Sequence, residues 1–337
     1  MLATAIPASA FAETLSTESG GFEVSAAASN IISNDSKSST SSTSKKSAKR
    51  KKKSPKMTRT KLLKRLGKVT GSRKLKTFCT RYKLKSTEQG RRLIRYVRKL
   101  KKRYKLAIVM IDLRTGQGFS VSAKRKIYSA SCLKGPYVAS LNKWKPKSRR
   151  SSSYMRQTIV VSNNDTYKAL RIKYGSSTMR KMLAYSKVSS FDYTSRYTFV
   201  PPRDLARLWV GTYWYFYRNT NRNSKWCRSL YTHGRQSFIY QSMKGKRRVY
   251  AKPGWYPGAR YNVQNDSGIV MSKVKTKTKV KKAKKTKTVI RTTSCPYVIT
   301  VMSTAYGKLG TLSKLVRLCD SVHTSMMKRY LKTYRLS

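Results

Sequence analysis

Hydrophobic positions along the chain change period several times, and each change marks an element. Leu93, Ile94, Val97 and Leu100 recur at helical spacing up to about Tyr104, and Ser86 with Gln89 supplies a capping box for that helix. Leu106–Leu113 has the length and composition of a strand; a Thr115-Gly116 turn and a second strand near Gly118–Val121 follow. Residues 131–218 read mostly as helices with short loops, Arg248–Thr304 as strands, and Leu312–Tyr334 as a closing helix. Helix, two strands, helices, three strands and a helix describe an α+β domain built on an antiparallel sheet.

One stretch looks like an elaboration of that plan. Lys273–Val280 alternates with period two, Lys281–Lys285 can turn, and Thr286–Thr293 returns. This predicts a two-stranded hairpin, 272–292, with one face almost entirely lysine, led by Lys273, Lys275, Lys277 and Lys279. Such a face either keeps a sheet edge soluble or grips a polyanion. The grip is favoured, because so many like charges repel unless a partner screens them.

The start of the chain follows a different pattern. Residues 1–12 are a short apolar run closing on Ala10-Phe11-Ala12, the A-x-A triplet of a signal-peptidase site; lacking a basic n-region, the run reads as a signal-peptide remnant. Residues 13–56, rich in Ser, Thr and Lys, cannot bury enough apolar surface to offset chain entropy and are expected to form a disordered linker. A basic lead-in, 57–85, precedes the main domain at 86–337.

Charge narrows the setting. The 337 residues hold 77 Lys plus Arg against 11 Asp plus Glu, a formal net charge of +66. That excludes an ordinary cytosolic enzyme surface and implies polyanionic surroundings. With the leader, it points to a secreted, wall-associated protein whose partner is an anionic cell-wall polymer; nucleic acid is disfavoured. No apolar run reaches about 18 residues, so no transmembrane segment is expected. Two histidines, His233 and His323, and five cysteines without a CxxC pair support neither a metal site nor a Ser-His-Asp triad, and no cofactor is implied.

Candidate chemistry begins at Ser131-Cys-Leu-Lys134, an S-x-x-K motif after the second strand and at the opening of a helix. Three residues are nearly one helical turn, which puts the ammonium beside the hydroxyl. A lysine that loses its proton through burial and nearby cations can activate that serine without a histidine. Spacing alone is weak, since Ser42/Lys45, Ser272/Lys275 and Ser325/Lys328 match too. Order adds weight. Ser162-Asn163-Asn164-Asp165 ends an apolar helical stretch, and Lys252-Pro253-Gly254-Trp255 lies on a strand, with Asn265-Asp-Ser-Gly-Ile-Val270 on the next.

Together these stretches resemble the S-x-x-K, S-D-N and K-T-G signatures of class A β-lactamases and penicillin-binding proteins, in that family's order. Tyr197–Trp209 looks like the family's segment after the omega loop, Pro296–Ser303 like its last strand and Leu106–Gly118 like its opening hairpin. The resemblance implies a β-lactamase-like α+β fold: a five-stranded antiparallel sheet with terminal helices on one face and a helical subdomain on the other. It implies Ser131 as the acylated nucleophile, Lys134 as its general base and Ser162 as the proton shuttle to the leaving nitrogen. Asn164 would hydrogen-bond the substrate amide, and Lys252 would keep positive potential near a substrate carboxylate. Gly254 and Trp255 complete the substrate strand, with the backbone N–H groups of Ser131 and Trp255 as an oxyanion hole.

The sequence also departs from the family. Asn163 replaces the aspartate of S-D-N, with Asp165 as a candidate substitute, and Pro253 replaces the hydroxyl residue of K-T-G. Pro136 is expected to kink the helix start, and the gap from Ser131 to Ser162 is short. Of the seven carboxylates from Met57 onward only Glu88 is a glutamate, far from the omega loop, where Asp192 is the one acidic residue. Deacylation is therefore expected to be slow. Two functions remain: a secreted serine hydrolase forming an acyl-enzyme at Ser131 with a β-lactam or a peptidoglycan D-Ala-D-Ala stem peptide, or a non-catalytic polyanion- or wall-binding protein on the same fold.

Overall fold

Every residue of Leu106–Asp112 is buried, because its alternate side chains feed two separate cores. This computed structural model describes residues 52–336, apart from 219–220, 235, 260 and 283–284. The expected signal-peptide remnant, 1–12, and the linker up to residue 51 lie outside the described residues.

In chain order the elements are α1 (Arg59–Gly67), β1 (Lys76–Phe78), α2 (Glu88–Arg103), β2 (Leu106–Asp112), β3 (Gly118–Val121), α3 (Lys134–Trp144), α4 (Ser152–Val160), α5 (Asn164–Tyr174) and α6 (Ser177–Tyr185). There follow α7 (Pro202–Arg218), α8 (Arg222–Ser229), α9 (Phe238–Met243), β4 (Arg248–Tyr256), β5 (Val263–Met271), β6 (Lys273–Lys282), β7 (Lys285–Ser294), β8 (Tyr297–Ser303) and α10 (Leu309–Thr333). The main sheet has the order β1-β3-β2-β8-β5-β4, antiparallel at every pairing. It has six strands rather than the five expected. The sixth, β1, comes from the basic lead-in and pairs Thr77 with Phe119, covering an edge of β3 that would otherwise stand open.

Leu106, Ile108 and Met110 of β2 point to a core shared with α2, α9 and α10, whereas Ala107, Val109 and Ile111 point to one shared with α1 and the helices α3–α7. Terminal helices therefore cover one face and the helical subdomain the other. Thr87, not Ser86, caps α2, accepting from Gly90 N at 3.2 Å. Ser86 is held in the preceding 3₁₀ turn, where its hydroxyl donates to Lys83 O. Five residues assigned to the linker, 52–56, also belong to the fold: Lys52 and Lys53 pair with Tyr334 and Arg335, and Ser54 is buried.

The lysine hairpin forms a two-stranded sheet of its own, with Cys295 N donating to Ser272 O at its base. Lys273, Lys275, Lys277 and Lys279 stand opposite Ser294, Thr292, Ile290 and Thr288. Paired residues share a face, so Lys273, Lys275 and Lys277 form a column along one strand, and the returning strand supplies Ser294, Thr292 and Ile290 beside it. Lys273, Lys275 and Lys277 are exposed. All five cysteines are free thiols.

Buried carboxylates pin the elements together. Asp112 Oδ1 accepts from Thr115 N at 2.7 Å and its Oδ2 meets His323 Nε2 at 2.9 Å, tying the end of β2 to α10. Asp204, fully buried in the first turn of α7, pairs with Arg203 at 2.9 Å and Arg207 at 3.2 Å and accepts from Ser190 Oγ at 2.5 Å. Replacing Asp204 by Ala strands two part-buried guanidinium groups. Chemical denaturation of Asp204→Ala should show a loss of about 3–5 kcal/mol. A loss below 1 kcal/mol would mean that the arginines find water instead.

Candidate active site

Ser131 stands on a 3₁₀ turn, Ala130–Leu133, that runs straight into α3 at Lys134. That turn accommodates Pro136. In an α-helix begun at Ser131 the proline would remove an internal hydrogen bond; with α3 beginning at Lys134 it falls in the first turn, where its missing N–H has no helical acceptor to lose. The expected kink is thus replaced by a 3₁₀ entry, and in such a turn side chains three apart eclipse, which sets Ser131 and Lys134 on one side. Ala130 has φ 45°, a left-handed conformation unfavourable for alanine and held by its burial.

Lys134 is fully buried, and its ammonium reaches Ser162 O at 2.6 Å, Asn164 Oδ1 at 2.6 Å and Asn163 O at 3.2 Å, with Ser162 Oγ at 3.5 Å. Lys252, buried on β4, donates to the same Ser162 Oγ at 2.7 Å. Two ammonium groups therefore share one hydroxyl. Burial, and then the Lys252 charge, lowers the Lys134 ammonium from its ordinary range to about 7. Burial lowers Lys252 to about 8, against the opposing pull of Cys132 and Asp266. Asp266 is a weak counter-ion, because burial raises its carboxyl to about 7 while Ser237 Oγ and Ile239 N donate to it.

Strand β4 meets the Ser131 turn backbone to backbone. A Cβ on Gly254 would lie 2.6 Å from the nitrogens of both Ser131 and Cys132, so only glycine permits this approach. β4 is the edge of the sheet, where Pro253 is tolerated. Trp255 follows it, in register with Gln264. The structure thus gathers Ser131, Lys134, Ser162, Asn164, Lys252 and Gly254, with Trp255 next on the strand. Ser131 Oγ itself forms no hydrogen bond with any described residue, since the donors of Lys134 are taken by the Ser162–Asn164 loop. The hairpin lysines stand elsewhere, beyond Met271 at the far end of β5.

Other expectations resolve here. Asn163 caps α5 through Thr166 N, and Asp165 is exposed in that helix's first turn, so neither supplies the carboxylate missing from S-D-N. Asp192 is exposed and bound by Thr194 and Ser195 of its own loop, bonds that lower its carboxyl to about 2. Burial pushes the Cys132 thiol well above its usual range, which makes it a packed side chain. Among the described residues no three His, Cys, Asp or Glu side chains cluster as a metal site would need, and no helix is long and apolar enough to cross a membrane.

Two contributors escape sequence reasoning. Tyr197 Oη donates to Asn164 Oδ1 at 2.9 Å, the oxygen that also receives Lys134, and burial raises its phenol to about 12. Asn265 Nδ2 donates to Tyr128 O at 2.8 Å while its Oδ1 accepts from Ser303 N, fixing the segment before Ser131 to the sheet. The signal for Asn265 is the polar run Gln264–Ser267 between Val263 and the apolar Ile269–Met271.

No protein-family model and no curated protein matches the sequence. Solved structures do match. PBP-A superposes with a TM-score of 0.52 at 12% identity, covering 69% of this chain and 96% of that one. A class A β-lactamase from Clostridium kluyveri DSM 555 gives 0.51 at 16% identity, covering 69% and 99%. The TLA-3 extended-spectrum β-lactamase gives 0.50 at 15% identity, covering 72% and 98%. The chain has the β-lactamase-like fold.

Within the β-lactamase-like fold, Gly254 is the residue whose change tests the site most directly. Gly254→Ala should lose about 1–3 kcal/mol of stability through overpacking. By pushing β4 from the Ser131 N–H it should slow labelling by a serine-directed acylating reagent about a hundredfold. Unchanged labelling would show that this backbone contact does not shape the reacting centre.

Proposed function

We propose that the protein is a serine acyl-transfer enzyme that forms an acyl-enzyme at Ser131 with a β-lactam or a peptidoglycan D-Ala-D-Ala stem peptide and deacylates slowly. The observation that carries this reading is the convergence of Lys134 and Lys252 on Ser162 beside the Ser131 turn, with Lys134 titrating near neutrality. Once Lys134 loses its proton, its nitrogen gains a lone pair and needs one acceptor fewer, so it can take the proton of Ser131 Oγ as that oxygen attacks the carbonyl. Ser162, within reach of both lysines, passes a proton to the leaving nitrogen. Lys252 holds positive charge near the substrate carboxylate, and the N–H groups of Ser131 and Trp255 face the developing oxyanion. Slow deacylation follows from the commitment of Asp165, Asp192 and Asp266 elsewhere. A variant of PBP-A, which shares the fold, has been trapped as an acyl-enzyme complex with penicillin G. The leader-like run at 1–12 and the basic composition support a secreted, wall-associated setting.

A second reading rests on a specific feature: Lys134 spends its donors on the Ser162–Asn164 loop and none on Ser131. If that state persists in every complex, the fold serves as a non-catalytic scaffold and the Lys273, Lys275, Lys277 and Lys279 column binds an anionic wall polymer.

Intact mass spectrometry after incubation with penicillin G separates the two readings. A persistent adduct is expected on the wild type and none on Ser131→Ala; an unmodified wild type, with the antibiotic intact, overturns the enzyme reading. The pH dependence gives a second check. Acylation should rise with pH through about 7 as Lys134 deprotonates and fall above about 8 as Lys252 loses its charge. A flat rate between pH 6 and 9 would remove Lys134 from the role of base.

A further inference from the structure

Away from Ser131, the turn after α9 and the start of β4 pack near α8 around a cavity of about 480 Å³. Five cations line it: Lys225, Arg228, Lys244, Arg247 and Arg248. No carboxylate is among its lining residues; Asp320 reaches only Arg247, at 3.7 Å. Arg228 is held in place by its bond to Phe216 O at 3.2 Å and by stacking over Tyr217 at 4.7 Å. Arg247 Nε is buried with no hydrogen-bond partner. Lys225, Lys244 and Arg248 are exposed, and their side chains make no hydrogen bond or ion pair with a described residue.

Such a group is unfavourable unless an anion joins it, since like charges around one concavity add their potentials. A single carboxylate would be satisfied by one guanidinium fork. Three guanidinium groups and two ammonium groups match several phosphate groups in a row, and the volume is that of a ligand site. A second cavity, of about 660 Å³, shares Tyr240 and Lys244 with the first and ends against Val160 and Val161, the residues just before Ser162. The two cavities adjoin at Tyr240 and Lys244, which gives an extended ligand room beyond the cation cluster.

We propose that the Lys225–Arg228–Arg248 cavity is a binding site for a linear ligand carrying several phosphate or phosphodiester groups. The site is independent of acylation at Ser131 and distinct from the hairpin column. Calorimetric titration at 150 mM NaCl tests it, with inorganic tripolyphosphate and a glycerol-phosphodiester oligomer as probes. The proteins are the wild type, a Lys225→Gln, Lys244→Gln, Arg248→Gln triple variant and a Lys273→Gln, Lys275→Gln, Lys277→Gln triple variant. All six positions are exposed, so both variants should fold.

The cavity variant should bind at least one probe about tenfold more weakly or worse, with the hairpin variant within about twofold of wild type. Loss for tripolyphosphate alone identifies a free oligophosphate as the ligand; loss for the diester oligomer identifies a polymer backbone. Equal losses in the two variants, or none in the cavity variant, would overturn the proposal by showing diffuse attraction to a basic surface. Repeating the titration on Ser131→Ala keeps the outcome separate from acyl transfer, because binding should be unchanged there.

Discussion

Two lysine side chains buried against one serine hydroxyl set the terms for the rest of the site. Taking an ammonium out of water costs several kcal/mol even after relaxation, and Lys134 and Lys252 incur that cost side by side. The fold offsets part of it with carbonyl oxygens. Ser162 takes a left-handed backbone at φ 63°, and Lys134 meets the carbonyls of Ser162 and Asn163 there. Asn163 then leaves its own side chain to cap α5. The strained serine, the cap and the two lysines form one unit, in which lowered proton affinity follows from burial.

The same chain that spends lysine freely is sparing with carboxylates, and each one in the folded body has a structural engagement. Asp112 closes the turn after β2 and meets His323; Asp204 gathers Arg203, Arg207 and Ser190; Asp320 accepts from Tyr297 and pairs with Arg247. Asp266 lies under Lys252 with Ser237 and Ile239 N, and Asp192 closes its own loop. Glu88 and Asp165 sit in helix first turns, where negative charge favours the helix. Of these seven, Asp165 alone makes no hydrogen bond or ion pair with a described residue, and it is exposed. The slow deacylation proposed above rests on how so basic a chain distributes its few acids.

The fold was legible where period and order both carried information. Strand β2, the amphipathic α2 and α10 and the lysine hairpin were read from apolar spacing, and the order of Ser131–Lys134, Ser162–Asn164 and Lys252–Gly254 predicted which segments meet. Boundaries and edges were not legible. The cap moved from Ser86 to Thr87 because a 3₁₀ turn takes up Ser86, a choice between adjacent hydroxyl residues that pattern cannot make. Strand β1 was hidden because Lys76-Thr-Phe78 carries too little apolar signal; it forms only because β3 offers an edge. Tyr197 and Asn265 lay in stretches that the sequence singled out, but their own roles were hidden, since these depend on oxygens far away in sequence.

The strong basicity of the chain and the lowered proton affinity of Lys134 have separate origins, acting over different distances. At physiological ionic strength charges separated by more than about 8 Å are largely screened. The exposed hairpin lysines therefore contribute little to the proton affinity of Lys134, which is set by its burial and by Lys252 across Ser162. The surface charge can therefore vary without retuning that lysine. A lysine of lowered proton affinity and a strongly charged surface coexist in one chain because desolvation acts locally and attraction acts at the solvent boundary.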